Sequence, residues 1–203
     1  MSPTVLIFLK APIPGKAKTR LAAGVGDDAA IEIYGKLVRR QMAAIPDDWS
    51  VEVHFAPAGE QELVQNWVGE EANRKFFAQM KTGLGQRLVH AGKGAFARGA
   101  EAVVFVGGDC VELTTDVFRE AQRQLSTRSA VLGPTEDGGY YLLGLSEMTE
   151  AVFAGIDWGT ESVSRQTRER LQTAGLDWSE LPVLRDVDTA EDWAALSDRF
   201  DGG

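Results

Sequence analysis

The stretch Ala102–Leu113, A-V-V-F-V-G-G-D-C-V-E-L, constrains the fold more than any other. Four consecutive apolar residues, Val103–Val106, give the pattern of a short strand buried on both faces, which is typical of central strands in parallel α/β sheets. Gly107 and Gly108 follow at once, so the chain is expected to leave the sheet through a bend that a side chain would resist. Asp109 is then delivered to the carboxyl end of a central strand, where open α/β sheets place their ligands. A carboxylate there suits a hard cation held against phosphate oxygens. A turn aspartate bonding its own backbone also accounts for the residue type.

Thr4–Leu9 is a second apolar, β-branched run and reads as the first strand. Lys10 ends it, and Pro12, Pro14 and Gly15 forbid its continuation. Lys16, Lys18 and Arg20 complete a stiff cationic loop, whose prolines reduce the entropy lost when cations grip a phosphate. The formal charge of the chain is −9, yet its first 25 residues hold four cations and no acid, leaving 17 basic against 30 acidic residues elsewhere. A localised cationic loop on an acidic protein points to a small anionic ligand and argues against a nucleic-acid or anionic-membrane surface.

The apolar positions Ile31, Tyr34, Leu37, Val38 and Met42 predict one buried stripe on a helix over 28–44. Val51–Phe55 and Phe76–Gln79 read as strands, and Glu60–Val68 as a further helix. Gly83, Leu84, Gly85 and Arg87 belong to a glycine-bearing helix start, where free amides and the helix dipole favour an anion. Thr114 or Thr115 caps a helix ending near Leu125, and Glu161–Thr173 is a polar helix. Thr189, followed by Asp192, predicts a capped last helix. The length suits one domain spanning 1–203. The single cysteine, Cys110, excludes an intrachain disulfide and a cysteine-based zinc cage. Both histidines, His54 and His90, read as ordinary strand and helix residues, so any metal would be held by oxygen. No apolar run reaches membrane-spanning length and no cleavable signal follows Met1, so a cytoplasmic address is the expectation.

Two further regions could carry chemistry. Between the strand starting at Ala130 and the apolar run Tyr141–Leu145 lie Glu136 and Asp137, followed by Gly138, Gly139 and Tyr140, the sequence of a hairpin turn with two acids at its mouth. Its glycines are expected to allow close approach of a bulky group. Asp137, or Glu136 in its stead, is a candidate general base or acceptor-positioning acid. Tyr140 or Tyr141 would offer an aromatic face to a sugar. Asp186 and Asp188, two residues apart, can share a strand face and become metal-ligand candidates if the fold brings them near Asp109.

Taken in order, Lys10–Leu21, Gly107–Cys110, Gly133–Tyr140 and Asp186–Thr189 resemble a bacterial glycosyltransferase-like family of the nucleotide-diphospho-sugar transferase superfamily. Some of its members are labelled arsenosugar-biosynthesis glycosyltransferases. The resemblance implies a single-domain, three-layer α/β/α fold of GT-A type, with a mostly parallel sheet and an antiparallel insertion. It would set Lys10, Lys16, Lys18 and Arg20 around nucleotide phosphates, Gly83–Arg87 beside the nucleotide, and Asp109 on Mg²⁺ or Mn²⁺. Gly138, Gly139 and Tyr140 would meet the acceptor. Val111 stands where many relatives have proline, and Glu112 replaces a common aspartate. The implied activity is transfer from a sugar nucleotide to a small-molecule acceptor. Lys18–Leu21 and Asp186–Asp192 also resemble nucleotidyltransferases, which would join a nucleoside triphosphate to a phosphorylated acceptor. A nucleotide-binding module without chemistry is the third expectation.

Overall fold

The computed structural model describes residues 2–197 of the chain. Seven strands form one sheet: β1 (Thr4–Lys10), β2 (Ser50–Ala56), β3 (Arg74–Ala78), β4 (Val103–Val106), β5 (Ala130–Pro134), β6 (Tyr140–Leu145) and β7 (Trp178–Glu180). Their spatial order is β3-β2-β1-β4-β6-β5-β7. All pairs are parallel except those of β6, which runs antiparallel to both β4 and β5. The sheet is therefore mostly parallel with an antiparallel hairpin inserted, as the turn at Asp137 predicts. The strand order reverses between β1 and β4, whose carboxyl ends deliver Lys10 and Asp109 to the crevice where such sheets bind ligands.

Helices close both faces. On one side α2 (Asp27–Ala44), α3 (Gln61–Val68) and α5 (Thr115–Leu125) pack on Val5, Ile7, Val104, Val131 and Leu142. On the other, α4 (Leu84–Ala97) and α6 (Val163–Thr173) cover Leu6, Val103, Phe105, Leu132 and Leu143. Leu6, Ile7, Val104, Phe105 and Val131, the expected heart of the core, are each at most 1% exposed and divide between the two faces. That division explains why β1 and β4 carry apolar runs without alternation.

A third cluster matters more for the site. Leu21 of α1 (Thr19–Val25), Ile33 and Leu37 of α2, Val111, Val187 and Leu196 of α7 (Ala190–Leu196) are buried together. Burying a valine side chain is worth about 1.5–3 kcal/mol, so Val111 and Val187 anchor the chain segments that carry Asp109 and the Asp186–Asp188 pair. The capping box at Thr189, closed by Asp192, starts α7 immediately afterwards as expected.

Three local expectations need correction. The cationic segment is a loop only to Lys18, because Thr19 begins a helix whose Leu21 is drawn into the third cluster. Gly107 and Gly108 are not at positive φ. A Cβ on Gly108 would lie 2.6 Å from a Leu9 methyl group, and one on Gly107 would lie 2.7 Å from Asp109 Oδ1, so close side chains rather than backbone conformation favour glycine at both. The hairpin glycines likewise admit the protein's own atoms. Gly138 has φ 86°, and a Cβ there would stand 2.0 Å from the Glu161 carbonyl oxygen. The Ser164 amide donates to the Gly138 carbonyl at 2.8 Å, strapping the hairpin turn to the start of α6.

Gly138→Ala should therefore cost more than about 2 kcal/mol of stability, read as a lower denaturant midpoint. Away from the cleft, Glu52 is buried on β2, with Arg98 donating to both its carboxylate oxygens at 2.8 and 2.6 Å and His54 3.3 Å away. Burial alone would raise the Glu52 pKa, but hydrogen bonds from His54 and Arg98 hold it below the usual glutamate value. Arg98→Met should lower stability by about 2–3 kcal/mol, or roughly 4–10 °C in Tm. Because the folded pKa is depressed, this contribution is complete above the unfolded value of about 4.3 and is lost as pH falls through the folded value. The Tm gap between wild type and variant should thus narrow on acidification, and a gap constant to about pH 3 would contradict the assignment.

Candidate active site

Lys18 joins the elements of the site. Its ammonium donates to Asp109 Oδ2 at 3.1 Å, to the Val187 carbonyl at 2.8 Å and to Asp188 Oδ1 at 3.0 Å, which uses all three of its N–H bonds. Lys18 is also the one non-glycine residue at positive φ among the described residues, at 49°. Backbone strain of this kind persists where surrounding contacts over-determine it, often at functional sites. Burial would lower the Lys18 pKa, but Asp109 and Asp188 outweigh it and hold the ammonium charged well above the usual lysine range.

The segment carrying the paired acids lies against the end of β4. The Val187 amide donates to the Asp109 carbonyl at 3.0 Å, Cys110 and Asp186 form an antiparallel bridge, and the Arg185 amide reaches Glu112 Oε2 at 3.0 Å. Asp186 and Asp188 are therefore brought to Asp109, the condition their candidacy required. Arg20 takes the second oxygen of Asp188 at 3.0 Å. Asp186 Oδ1 is buried with no hydrogen-bond partner. Burial first, then the negative charge of Asp109 and Asp137, pushes the Asp186 pKa well above the usual carboxylate value, with Lys18 opposing. Burial likewise raises the Cys110 thiol, which leaves it an unreactive packing residue.

Two cavities meet along this line of acids. One, of about 490 Å³, is lined by Lys10, Lys18, Arg20 and Arg87 against only two carboxylates, Asp109 and Asp188. Leu84, Gln79 and Tyr34 complete much of its wall, and the Tyr34 hydroxyl accepts the Lys10 amide at 3.2 Å. The other, of about 520 Å³, holds Asp137, Tyr140, Trp158, Glu161 and Asp186. Phe8, Arg20, Leu84, Gly107, Asp109 and Asp188 are common to both, so the cavities are two lobes of one cleft.

The remaining candidates distribute as follows. Lys16 lines a smaller neighbouring pocket with Lys10, Lys81 and Arg87. Gly83 and Gly85 border an outer groove rather than the cationic lobe, and Gly85 packs closely against the Phe153 carbonyl and Trp158. Glu136 turns outward to an exposed ion pair with Arg185 at 2.7 Å. Asp137 lines the second lobe, its Oδ1 accepting from the Thr135 hydroxyl at 2.6 Å and the Gly139 amide at 3.0 Å. Gly139 and Tyr140 line the same lobe, whereas Gly138 does not. Tyr140 meets Trp158 edge-on at 6.3 Å, while Tyr141 faces the core and donates to the Pro182 carbonyl. Of the two tyrosines, Tyr140 is the one available to a ligand.

Sequence reasoning missed Phe8, Tyr34, Gln79, Trp158 and Glu161. Tyr34 was hidden in the apolar stripe of α2, where its ring does pack. Trp158 carried the stronger signal, an aromatic residue between Asp157 and Gly159 in a segment with no periodicity.

Comparison with known proteins agrees with this architecture. Residues 40–160 match the family described as "Uncharacterized protein conserved in bacteria (DUF2064)". A crystal structure from Desulfovibrio desulfuricans, provisionally assigned as a nucleotide-diphospho-sugar transferase, superposes with a TM-score of 0.91 at 33% identity, covering 100% of this chain and 90% of that one. CMP:2-keto-3-deoxy-manno-octonic acid synthetase complexed with CTP gives a TM-score of 0.60 at 13% identity, with 99% and 98% covered. A Mycobacterium tuberculosis protein in complex with manganese gives 0.58 at 15% identity, with 97% and 99% covered. The latter two likenesses are of fold. No curated protein matches the chain in sequence. The chain belongs to the bacterial DUF2064 family and has the fold of the nucleotide-diphospho-sugar transferases.

Proposed function

We propose that this protein transfers a glycosyl group from a sugar nucleotide, bound with Mg²⁺ or Mn²⁺, to a hydroxyl group of a small-molecule acceptor. The observation that carries the reading is the two-lobed cleft, cationic on one side and aromatic and acidic on the other, with Asp109 and Asp188 where the lobes meet. The nucleotide diphosphate belongs in the cationic lobe, near Lys10, Arg20 and Arg87. The transferred sugar and the acceptor belong beside Tyr140 and Trp158, whose rings offer apolar faces to a pyranose.

The residues fit a divalent cation. Asp109, Asp186 and Asp188 supply hard oxygen donors, and Asp186 Oδ1 is a buried acceptor with no partner of its own. Among the described residues no three acid, histidine or cysteine side chains stand at metal-binding spacing. Magnesium commonly takes one or two carboxylates and completes its shell with phosphate oxygens and water. When bound, the cation would offset charge developing on the leaving nucleoside diphosphate. The protein's own groups do the rest. Lys18 holds Asp109 and Asp188 at fixed spacing, and Arg20 adds positive charge near the leaving phosphate. The Asp137 carboxylate accepts the acceptor's proton as its oxygen bonds to the anomeric carbon and the bond from that carbon to the phosphate oxygen breaks.

Nucleotidyl transfer is the second reading, favoured by Lys10, Arg20 and Arg87 of the donor lobe, which suit a triphosphate. Its product would be pyrophosphate, whereas glycosyl transfer releases a nucleoside diphosphate. Incubating the protein with Mn²⁺ and each class of donor, and assaying both products, separates the readings. Under the glycosyl reading Asp109→Asn should weaken nucleotide binding about tenfold in Mn²⁺ and leave binding in EDTA nearly unchanged. Asp137→Ala should lower kcat by about 10²–10⁴-fold with donor KM little altered. Equal losses in kcat and donor affinity would make Asp137 a nucleotide contact instead.

A further inference from the structure

The geometry points to an acceptor that is neutral or carries an ammonium group, and against one bearing phosphate or carboxylate, as the substrate class of the lobe around Tyr140 and Trp158. The inference deepens the reading of that lobe as the acceptor side and rests on it. Asp109, Asp137, Glu161, Asp186 and Asp188 line the lobe with one cation, Arg20; the Lys18 ammonium behind them offsets part of the charge of Asp109 and Asp188, leaving Asp137 and Glu161 outside that cluster. Arg20 is shared with the donor lobe and already bonded to Asp188. Arg185 is paired with Glu136 and does not line the lobe. An anionic acceptor would therefore face Asp137 and Glu161 while the cations at the junction, Lys18 and Arg20, are engaged by Asp109 and Asp188, a device that rejects a wrong partner more strongly than it attracts the right one.

A second observation shows unmet polar capacity in the same wall. The Tyr140 hydroxyl and Asp186 Oδ1 are both buried without a hydrogen-bond partner, and native structures rarely leave such groups unsatisfied. The Tyr140 hydroxyl can donate or accept, and Asp186 Oδ1 can accept, so the pair suits a ligand rich in hydroxyl or ammonium donors. Of the acids that would read an ammonium, Asp137 is also held in place. Asp137 is fixed by Thr135 and Gly139, while the Glu161 backbone is packed against Gly138 beside the Ser164–Gly138 hydrogen bond. Should a divalent cation occupy the junction, it would draw on Asp109, Asp186 and Asp188. Asp137 and Glu161, which belong to this lobe and not to the donor lobe, would keep their charges on the acceptor side.

The test uses four matched probes, glucosamine, glucose, glucuronate and glucose 6-phosphate, titrated into the full chain in EDTA. The readout is the Trp158 indole N–H resonance, assigned by its loss in Trp158→Phe, because phosphate bound only among the donor-lobe cations would not report there. Glucosamine should move this resonance at a concentration at least about tenfold lower than either anionic sugar, the discrimination expected of one poorly screened like-charge contact. Glucose should fall between them. The Asp137→Asn, Glu161→Gln double variant should erase the advantage of glucosamine over glucose. Binding of either anionic sugar as tightly as glucosamine, or no response to any probe, overturns the inference. Nucleotide binding in Mn²⁺, measured by calorimetry on the same protein, tests the donor reading separately. Its loss with the sugar order intact would sink the donor reading alone, and the converse would sink the acceptor assignment alone.

Discussion

The site depends on one buried ammonium. Lys18 leaves the loop after β1, adopts a left-handed backbone and ties together the end of β4, the backbone at Val187 and the carboxylate of Asp188. Contacts of this kind add little net stability, because desolvating the charges offsets most of their attraction. What they supply is position. Two carboxylates distant in sequence are held within one ammonium's reach, beside a third, Asp186, whose own surroundings disfavour its charge. Removing the ammonium would leave like charges facing one another at partial burial, so the geometry of Asp109 and Asp188 follows from this one residue.

The apolar core makes that contact possible. The chain runs outward from β1 to β2 and β3, then returns to β4 on the other side, opening a crevice at the reversal. Neither main face of the sheet reaches the Asp186–Asp188 segment. The third cluster does so instead, with Val187 and Val111 buried beside α1 and α7. Val111 therefore has a packing role, and Glu112 accepts the Arg185 amide from the same segment. Both residues hold the β4 end to the acidic loop.

Much of this was legible from residue order. Apolar runs located β1 and β4, the glycine and acid pattern located the β5–β6 hairpin, and the Thr189 signature located the start of α7. Short elements were less visible. β7 has only three residues, Trp178–Glu180, and no alternation to detect, while α1 is stabilised by tertiary burial of Leu21 rather than by a local cap. The cationic loop was recognised, but its partners were not. Lys18 looks in the sequence like Lys10 and Lys16, and only the chain's return after α6 shows that its charge is spent on Asp109 and Asp188 while Lys10 and Lys16 remain exposed. Glycine was misread for a related reason. A sequence gives its conformational freedom, whereas at Gly108 and Gly138 the close neighbours are Leu9 and Glu161, contacts that only the fold creates.

The distribution of charge across the cleft reflects the same economy. A chain with net charge −9 gathers four cations around one lobe and leaves the other with five carboxylates and one arginine. Lys18 lies between them and compensates part of the acid. Such a site lowers the stability of the empty protein, and the two large apolar clusters flanking the sheet must carry that cost. In exchange, the groups that would meet developing charge are already oriented before substrate arrives, which is the arrangement that stabilises a transition state without reorganisation. The left-handed Lys18 backbone, the unpartnered Asp186 oxygen and the unsatisfied Tyr140 hydroxyl are therefore expressions of one constraint. Each is a local departure from what a stable fold alone would select, and all three lie along the cleft.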